Sequence, residues 1–296
     1  MIVMNLETFL AEKKRLIDHT LMRMIPKLDC PYSQLFDAAN YSLFGEGKRI
    51  RPILTLATAE ALGVSSDLAL TPACTIELLH CYSLIHDDLP SMDNDDFRRG
   101  KPTLHKAYPE GLAVLTGDYL LTYAMEALAD CTEINAETRI TLIGLLAQKA
   151  GAHGMIGGQV MDLDSEGKAI SLDRLKHIHR CKTGALLSTA VQFGGLIANA
   201  DAETMGLLVD FASDLGLAFQ VVDDILDLTA GKEKHGLAGG TDVLREKATF
   251  ISLLGLEASQ NYAIELQDHA LNTLKQIPAD TRILEELTVN IISRSQ

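Results

Sequence analysis

The chain has 296 residues, of which 47% are hydrophobic and only 5% aromatic, and its formal net charge is −14. A nucleic-acid-binding protein of this size is normally basic, so the charge argues against that class. Long apolar segments with helical periodicity dominate, and strand-like alternation is nearly absent. No Pro/Gly/Ser-rich linker marks a boundary, so we expect an all-α protein with a single domain over residues 1–296.

Cysteine usage and the N-terminus predict a cytoplasmic protein. The five cysteines are scattered and form no C-x-x-C pair, which is typical of reduced thiols. The N-terminal residues lack a basic start followed by an apolar run, so we expect no signal peptide. No stretch of 18 residues is purely apolar, and we therefore also expect no membrane span.

The first segments predict helices over residues 5–25 and 33–44, followed by the basic sequence GKRIRP. Its cations Lys48, Arg49 and Arg51 precede an apolar helix whose first turn contains Pro52. Positive charge at a helix N-terminus opposes the helix dipole, and a bound phosphate would resolve that conflict. A solvated basic run is the alternative interpretation.

The segment SLIHDDLPSMDNDDFRRG, residues 83–100, contains five aspartates and two arginines. The apolar helix before it should end near Asp88, because Pro90 follows. Negative charge at the C-terminal end of a helix is unfavourable, so a cation should lie nearby. His80 lies two turns before Asp87 on the same helix face, where it is either a satisfied core residue or part of a site.

A second acidic cluster occurs in FQVVDDILDL, where Asp223, Asp224 and Asp227 should project from one helical face together with Gln220. Thr229-Ala230-Gly231 predicts the end of that helix. Two carboxylate clusters at the ends of apolar helices suit Mg²⁺, which keeps several waters and shares phosphate oxygens. The alternative is that each cluster is a solvated acidic face.

Three shorter signals lie around the second cluster. Gly157 and Gly158 predict a close helix approach, with Gln159 and Asp162 as weaker candidates for supporting a site. The pair Lys182-Thr183 interrupts an apolar segment. Residues 231–247 are rich in glycine and lysine, which indicates either a basic loop that closes over phosphates or a flexible surface loop.

These motifs together resemble the trans-isoprenyl (polyprenyl) diphosphate synthases. GKRIRP, DDLPSMD followed by RRG, KTG, and FQVVDDILD with its glycine/lysine segment occur in that family's order and spacing across nearly the whole chain. The four residues between Asp88 and Asp93 are similar to the bacterial short-chain type. The resemblance implies a homodimeric helical bundle around a deep central cavity. It also implies condensation of dimethylallyl or geranyl diphosphate with isopentenyl diphosphate, giving farnesyl diphosphate or, alternatively, a C20 or C10 product.

The resemblance further implies a role for each motif residue. Three Mg²⁺ ions would be held by Asp87, Asp88, Asp93, Asp223 and Asp227. The allylic diphosphate would contact Arg98, Lys182 and a lysine of the later segment, Lys234 or Lys247. Isopentenyl diphosphate would contact Lys48, Arg51, His80 and Arg99. Thr183 and Gln220 would lie near the carbocation, and Tyr82 with Ser83 would set the product length.

Two positions depart from the family pattern. Glu46 replaces the first glycine of the usual Gly-Gly-Lys-Arg sequence, which places an acid beside the expected diphosphate site. Counting back from Lys247, the usual lysine of the later segment falls on Leu237, so Lys234 or Lys232 would have to substitute for it.

Three rival functions are less consistent with the motifs. A terpene cyclase normally keeps one aspartate-rich motif and has no need of GKRIRP. A non-catalytic subunit could lose the aspartates, which this chain keeps. A metal phosphohydrolase suggested by His86-Asp87 would need further histidines at metal-ligand spacing, and these are missing from the sequence.

Overall fold

The computed structural model describes residues 5–45, 47–235 and 247–293, with the backbone alone described for residues 229–235. Most of these residues are helical, which confirms the predicted all-α class. The chain divides into two compact units, Met1–Gly144 and Leu145–Gln296. The single-domain interpretation stays a prediction.

The first unit is organised around one long apolar helix. Its elements are α1 (Leu6–Met24), α2 (Ser33–Leu43), α3 (Ile50–Ala61), α4 (Ser66–Asp87), α5 (Leu104–Ala107) and α6 (Glu110–Ala129), with α7 (Ala136–Ala150) following. Helix α4 packs against α1, α3 and α6. A two-residue strand β1 (Phe97–Arg98) pairs antiparallel with β2 (Lys101–Pro102) directly after the first acidic cluster. This short hairpin was not predicted from the sequence.

The second unit is organised around a 34-residue helix. Its elements are α8 (Met155–Ser165), α9 (Leu172–His179), a π-helix (Arg180–Gly184), α10 (Ala185–Ile197), α11 (Ala202–His235), α12 (Phe250–Leu254), α13 (Leu256–Leu274) and α14 (Arg282–Ile292). Helix α11 packs against α10 and α13. Ser171 caps α9, because its side chain accepts the backbone N–H of Arg174.

The predicted end of α11 at residues 229–231 is wrong, because the helix continues to His235. A single glycine in a helix costs only about 1 kcal/mol relative to alanine, so Gly231 does not stop it. Lys232 and Lys234 therefore lie on helical backbone, and their side chains are outside the described part of the structure. The remainder of the predicted basic loop, residues 236–246, also lies outside the described residues, as does Glu46.

Two helices are long and apolar enough to cross a membrane by length and composition, contrary to the expectation from the sequence. They are Ser66–Asp87 and Ala202–Leu228, whose apolar windows are 67% and 56% buried within the structure. A core helix of a water-soluble protein passes the same test, so length and composition are weak grounds for a membrane span.

A buried ion pair ties the N-terminal helices together. The Arg49 guanidinium donates to Glu77 at 2.8 Å, to Asp18 at 2.8 Å and to the Leu43 carbonyl at 2.6 Å. Arg49 and Glu77 are each only 4% exposed. Burial alone would lower the pKa of Arg49, but Glu77 and Asp18 outweigh it and raise that pKa. This cation of GKRIRP therefore neutralises internal carboxylates, whereas the sequence grouped it with cations available to an anion.

We predict that Arg49→Met lowers the free energy of unfolding by about 3–5 kcal/mol, because it leaves the buried Glu77 carboxylate without its partner. The measurement is urea denaturation followed by circular dichroism. Lys168→Gln is the matched control, since it breaks an exposed Lys168–Asp164 pair at 2.8 Å, and exposed ion pairs contribute little to stability. Equal effects of the two substitutions would contradict the structural role of Arg49.

Candidate active site

The first acidic cluster folds back on the end of α4. Asp87 is the last residue of the helix and Asp88 is its C-cap. The backbone N–H of Asp93 donates to the carbonyl of Asp87 at 2.8 Å, which closes the intervening loop. The loop therefore returns Asp93 to the end of the helix beside Asp87, and both residues are half-buried.

Arg98 supplies the cation that the charged helix end requires. Its Nε lies 2.8 and 2.9 Å from the two oxygens of Asp88, and its Nη2 lies 2.6 Å from Oδ1. Asp88 is only 4% exposed. In this structure Asp88 and Arg98 bind each other. The assignments of Asp88 to Mg²⁺ and of Arg98 to diphosphate therefore stay predictions.

Arginine side chains of the first unit form a cationic environment around His80, near GKRIRP. A β-carbon on Gly47 would lie 2.9 Å from the Arg99 guanidinium, so the glycine lets Arg99 approach this segment. Burial lowers the pKa of His80 well below its usual value, and the nearby Arg51, Arg99 and Arg98 lower it further. His80 is therefore neutral at physiological pH. Lys48 is exposed on the same segment.

His86 links the Tyr82 ring to α6. In the sequence, this histidine stood out only as part of the rejected phosphohydrolase motif. The Tyr82 side chain is buried, and its ring meets the His86 ring edge-on at 5.6 Å between centroids. His86 Nε2 lies 3.0 Å from the Val114 carbonyl, and its ring fills the space that a β-carbon on Gly117 would need. Burial, with Asp87 nearby, raises the pKa of Tyr82 to about 12. Ser83 donates its hydroxyl to the His80 carbonyl.

The Lys182-Thr183 pair lies in the π-helix Arg180–Gly184. Such segments widen the helix locally and are frequent at functional sites. A β-carbon on Gly158 would lie 2.3 Å from the Lys182 backbone nitrogen, so α8 contacts the π-helix backbone directly. This contact confirms the predicted close helix approach at Gly158, whereas a β-carbon on Gly157 would meet the Ala152 carbonyl just before α8.

The second acidic cluster does not present three equivalent carboxylates. Thr183 donates its hydroxyl to Gln220 Oε1 at 3.1 Å, and Gln220 Nε2 lies 3.5 Å from exposed Asp223. Asp227 is half-buried. The Asp224 carboxylate instead accepts the backbone N–H of Phe250 at 2.7 Å and is 7% exposed. The prediction that all three share one face is therefore wrong for Asp224, which stabilises the N-terminus of α12.

Asp162 lies between two of the predicted diphosphate ligands. Its Oδ2 is 2.7 Å from Lys182 Nζ and 3.5 Å from Lys247 Nζ. Burial would raise the pKa of Asp162, but the two ammonium groups outweigh it and lower that pKa. Asp162 was only a weak candidate from the sequence, because a single aspartate on a helix carries no motif that points to a distant lysine.

The carboxylates suit Mg²⁺, an ion that can take the rest of its ligands from water and from substrate. Within the described residues, no three His, Cys, Asp or Glu side chains are grouped so that they could hold a metal by themselves. Asp87 and Asp93 in the first unit, and Asp223 and Asp227 in the second, supply only oxygen donors. Mg²⁺ commonly binds one or two carboxylates and takes its other ligands from water and substrate phosphates. The donor set is therefore compatible with the predicted metal.

We predict that Asp224 contributes to stability through its acceptor oxygen. Asp224→Ala should lower the free energy of unfolding by about 1–3 kcal/mol, because it strands a buried N–H, whereas Asp224→Asn keeps an acceptor and should cost less. Chemical denaturation measures both. Asp223→Ala is the matched control, and a change as large as that of Asp224→Ala would contradict the different environments of the two aspartates.

Comparison with known proteins identifies the family. The family described as Polyprenyl synthetase matches residues 33–287. A farnesyl diphosphate synthase of Geobacillus stearothermophilus is 48% identical over 259 residues, 87% of each chain. A geranylgeranyl diphosphate synthase of Cyanophora paradoxa is 45% identical, over 90% of this chain and 89% of that one. The apo crystal structure of an FPP/GFPP synthase from Zymomonas mobilis superposes with a TM-score of 0.88 at 36% identity, covering 97% and 99% of the two chains. The chain therefore belongs to the polyprenyl synthetases, the trans-isoprenyl diphosphate synthase family that its motifs resemble.

Proposed function

We propose that this protein is a Mg²⁺-dependent short-chain prenyltransferase. It joins dimethylallyl or geranyl diphosphate to isopentenyl diphosphate, and its main product is farnesyl diphosphate. The observation that carries the proposal is that, in each unit, residues of the predicted motifs contact one another. Asp87 and Asp93 are brought together at the end of α4, and Thr183, Gln220 and Asp223 form one connected chain of polar side chains.

The reaction begins with ionisation of the allylic C–O bond, which separates a carbocation from diphosphate. Mg²⁺ would be held by Asp87, Asp93, Asp223 and Asp227. When bound, it would neutralise charge on the leaving diphosphate. Lys182 and Lys247 donate ammonium N–H groups to the same leaving group, and Arg98 has the same role. The hydroxyl of Thr183 and the amide of Gln220 direct their dipoles toward the developing positive charge.

The second substrate binds to the cationic environment of the first unit. Lys48, Arg51 and Arg99 supply charge for the diphosphate of isopentenyl diphosphate, and neutral His80 supplies a ring nitrogen as a hydrogen-bond partner. The double bond of isopentenyl diphosphate attacks the carbocation, forming the new C–C bond. One proton then leaves the adjacent carbon, and the released diphosphate accepts it. Apolar walls exclude the water that would otherwise quench the cation.

A homodimer in the cytoplasm is part of the same proposal. Leu115 and Val114 of α6 are 60% and 37% exposed, and Ile140 of α7 is 71% exposed. Adjoining exposed apolar side chains, such as the neighbouring Val114 and Leu115, are typical of an interface. A second copy of the chain is the partner that the family resemblance implies.

A product assay tests the activity. Purified protein is incubated with Mg²⁺, labelled isopentenyl diphosphate and either dimethylallyl or geranyl diphosphate, and the products are sized after dephosphorylation. We expect a C15 product from both primers and a loss of activity on chelation of the metal. Asp87→Asn should lower turnover by at least about a hundredfold, because it removes a ligand that acts on the transition-state charge. Absence of any condensation would overturn the proposal, and a C20 product would favour the geranylgeranyl alternative.

We predict that Tyr82→Ala lengthens the main product from C15 to C20 or longer, because it removes a buried phenol ring about one turn from Asp87. The measurement is the same chain-length analysis. Tyr123→Phe is the matched control, since it removes only a hydroxyl that donates to the Met24 carbonyl. An unchanged product from Tyr82→Ala would show that another residue limits the chain.

A further inference from the structure

We propose that Asp162 is a positioning residue that holds the Lys182 and Lys247 ammonium groups together as one pair directed at the allylic diphosphate. The proposal rests on the proposed prenyltransferase function and adds to it a residue that no motif identifies. Asp162 acts through the two lysines and does not itself contact substrate.

The geometry of α8 places Asp162 where both lysines reach it. Gly158 lies one turn before Asp162 and allows α8 to contact the Lys182 backbone. One turn later, Asp162 Oδ2 is 2.7 Å from Lys182 Nζ. The same oxygen is 3.5 Å from Lys247 Nζ. A fixed backbone contact and a side-chain contact one turn apart together define the direction of the Lys182 side chain.

The charges explain why a carboxylate is needed at this point. Two ammonium groups close together repel each other, and an anion between them offsets that repulsion. Each ammonium has three N–H donors, so one contact with Asp162 does not use up the donors of Lys182. The half-buried position of Asp162 and both lysines limits screening by solvent. The pair is therefore assembled before a diphosphate binds.

Glu166 offers a matched comparison on the same helix. It lies one turn after Asp162, is exposed, and its Oε1 is 3.5 Å from Lys247 Nζ. The positioning role falls on Asp162 because its oxygen contacts both ammonium groups and because it is less exposed than Glu166.

The test measures pyrophosphate affinity with Mg²⁺ by isothermal titration calorimetry, alongside kcat and KM for geranyl diphosphate. Asp162→Asn keeps the shape of the side chain and removes its charge. We expect it to weaken pyrophosphate binding about tenfold and to lower kcat/KM by about ten- to a hundredfold, the cost of misplaced contacts. Asp162→Glu should restore part of both, and Glu166→Gln should change each by less than about threefold, as expected for an exposed pair.

A double-mutant comparison separates positioning from a general structural effect. Because Asp162 acts through both lysines, Asp162→Asn should add little in the Lys182→Gln/Lys247→Gln background, since residues that act as a unit are non-additive. Circular dichroism checks that each variant is folded, and Asp162→Ser replaces Asp162→Asn if the latter is not. Unchanged or tighter pyrophosphate binding by the Asp162 variant, or effects that multiply, would overturn the inference. A wild-type protein without condensation activity would overturn the proposed function instead, and the pyrophosphate titrations would still decide the role of Asp162.

Discussion

The structure depends on the neutralisation of negative charge at the C-terminal end of an apolar helix. Helix α4 ends in two consecutive aspartates, where the helix dipole already carries partial negative charge. Arg98 neutralises Asp88 through a bidentate contact, and the loop returns Asp93 to the carbonyl of Asp87. Asp88 is therefore paired with an internal cation, whereas Asp87 and Asp93 form the proposed metal site.

The second unit separates these roles in a similar way. Asp224 is buried and stabilises the start of α12 through the Phe250 N–H, whereas Asp223 is exposed and connected to Gln220. Adjacent aspartates in one motif thus have different functions, because successive helical residues point about 100° apart. Asp162 and Lys182 show the complementary case, in which a carboxylate stabilises a cation instead of a metal or a backbone group.

The sequence predicted the helical class, the first two helices and the family, because long periodic apolar segments and four ordered motifs are strong local signals. It failed where tertiary contacts decide the outcome. Arg49 was grouped with the other cations of GKRIRP, since nothing local shows that Glu77 and Asp18 would reach it. The continuation of α11 past Gly231 likewise reflects a helix long enough to absorb one weak residue. Asp162 and His86 have no motif of their own, so only the packing of α8 and α6 identifies their contacts.

The central proposal is that Mg²⁺ held at the end of α4 by Asp87 and Asp93 binds the leaving diphosphate. A crystal structure of the protein with Mg²⁺ and pyrophosphate tests this most directly. We predict that oxygens of Asp87 and Asp93 lie about 2.1 Å from magnesium ions that also coordinate the pyrophosphate. Pyrophosphate bound with no magnesium ion at Asp87 or Asp93 would contradict the account.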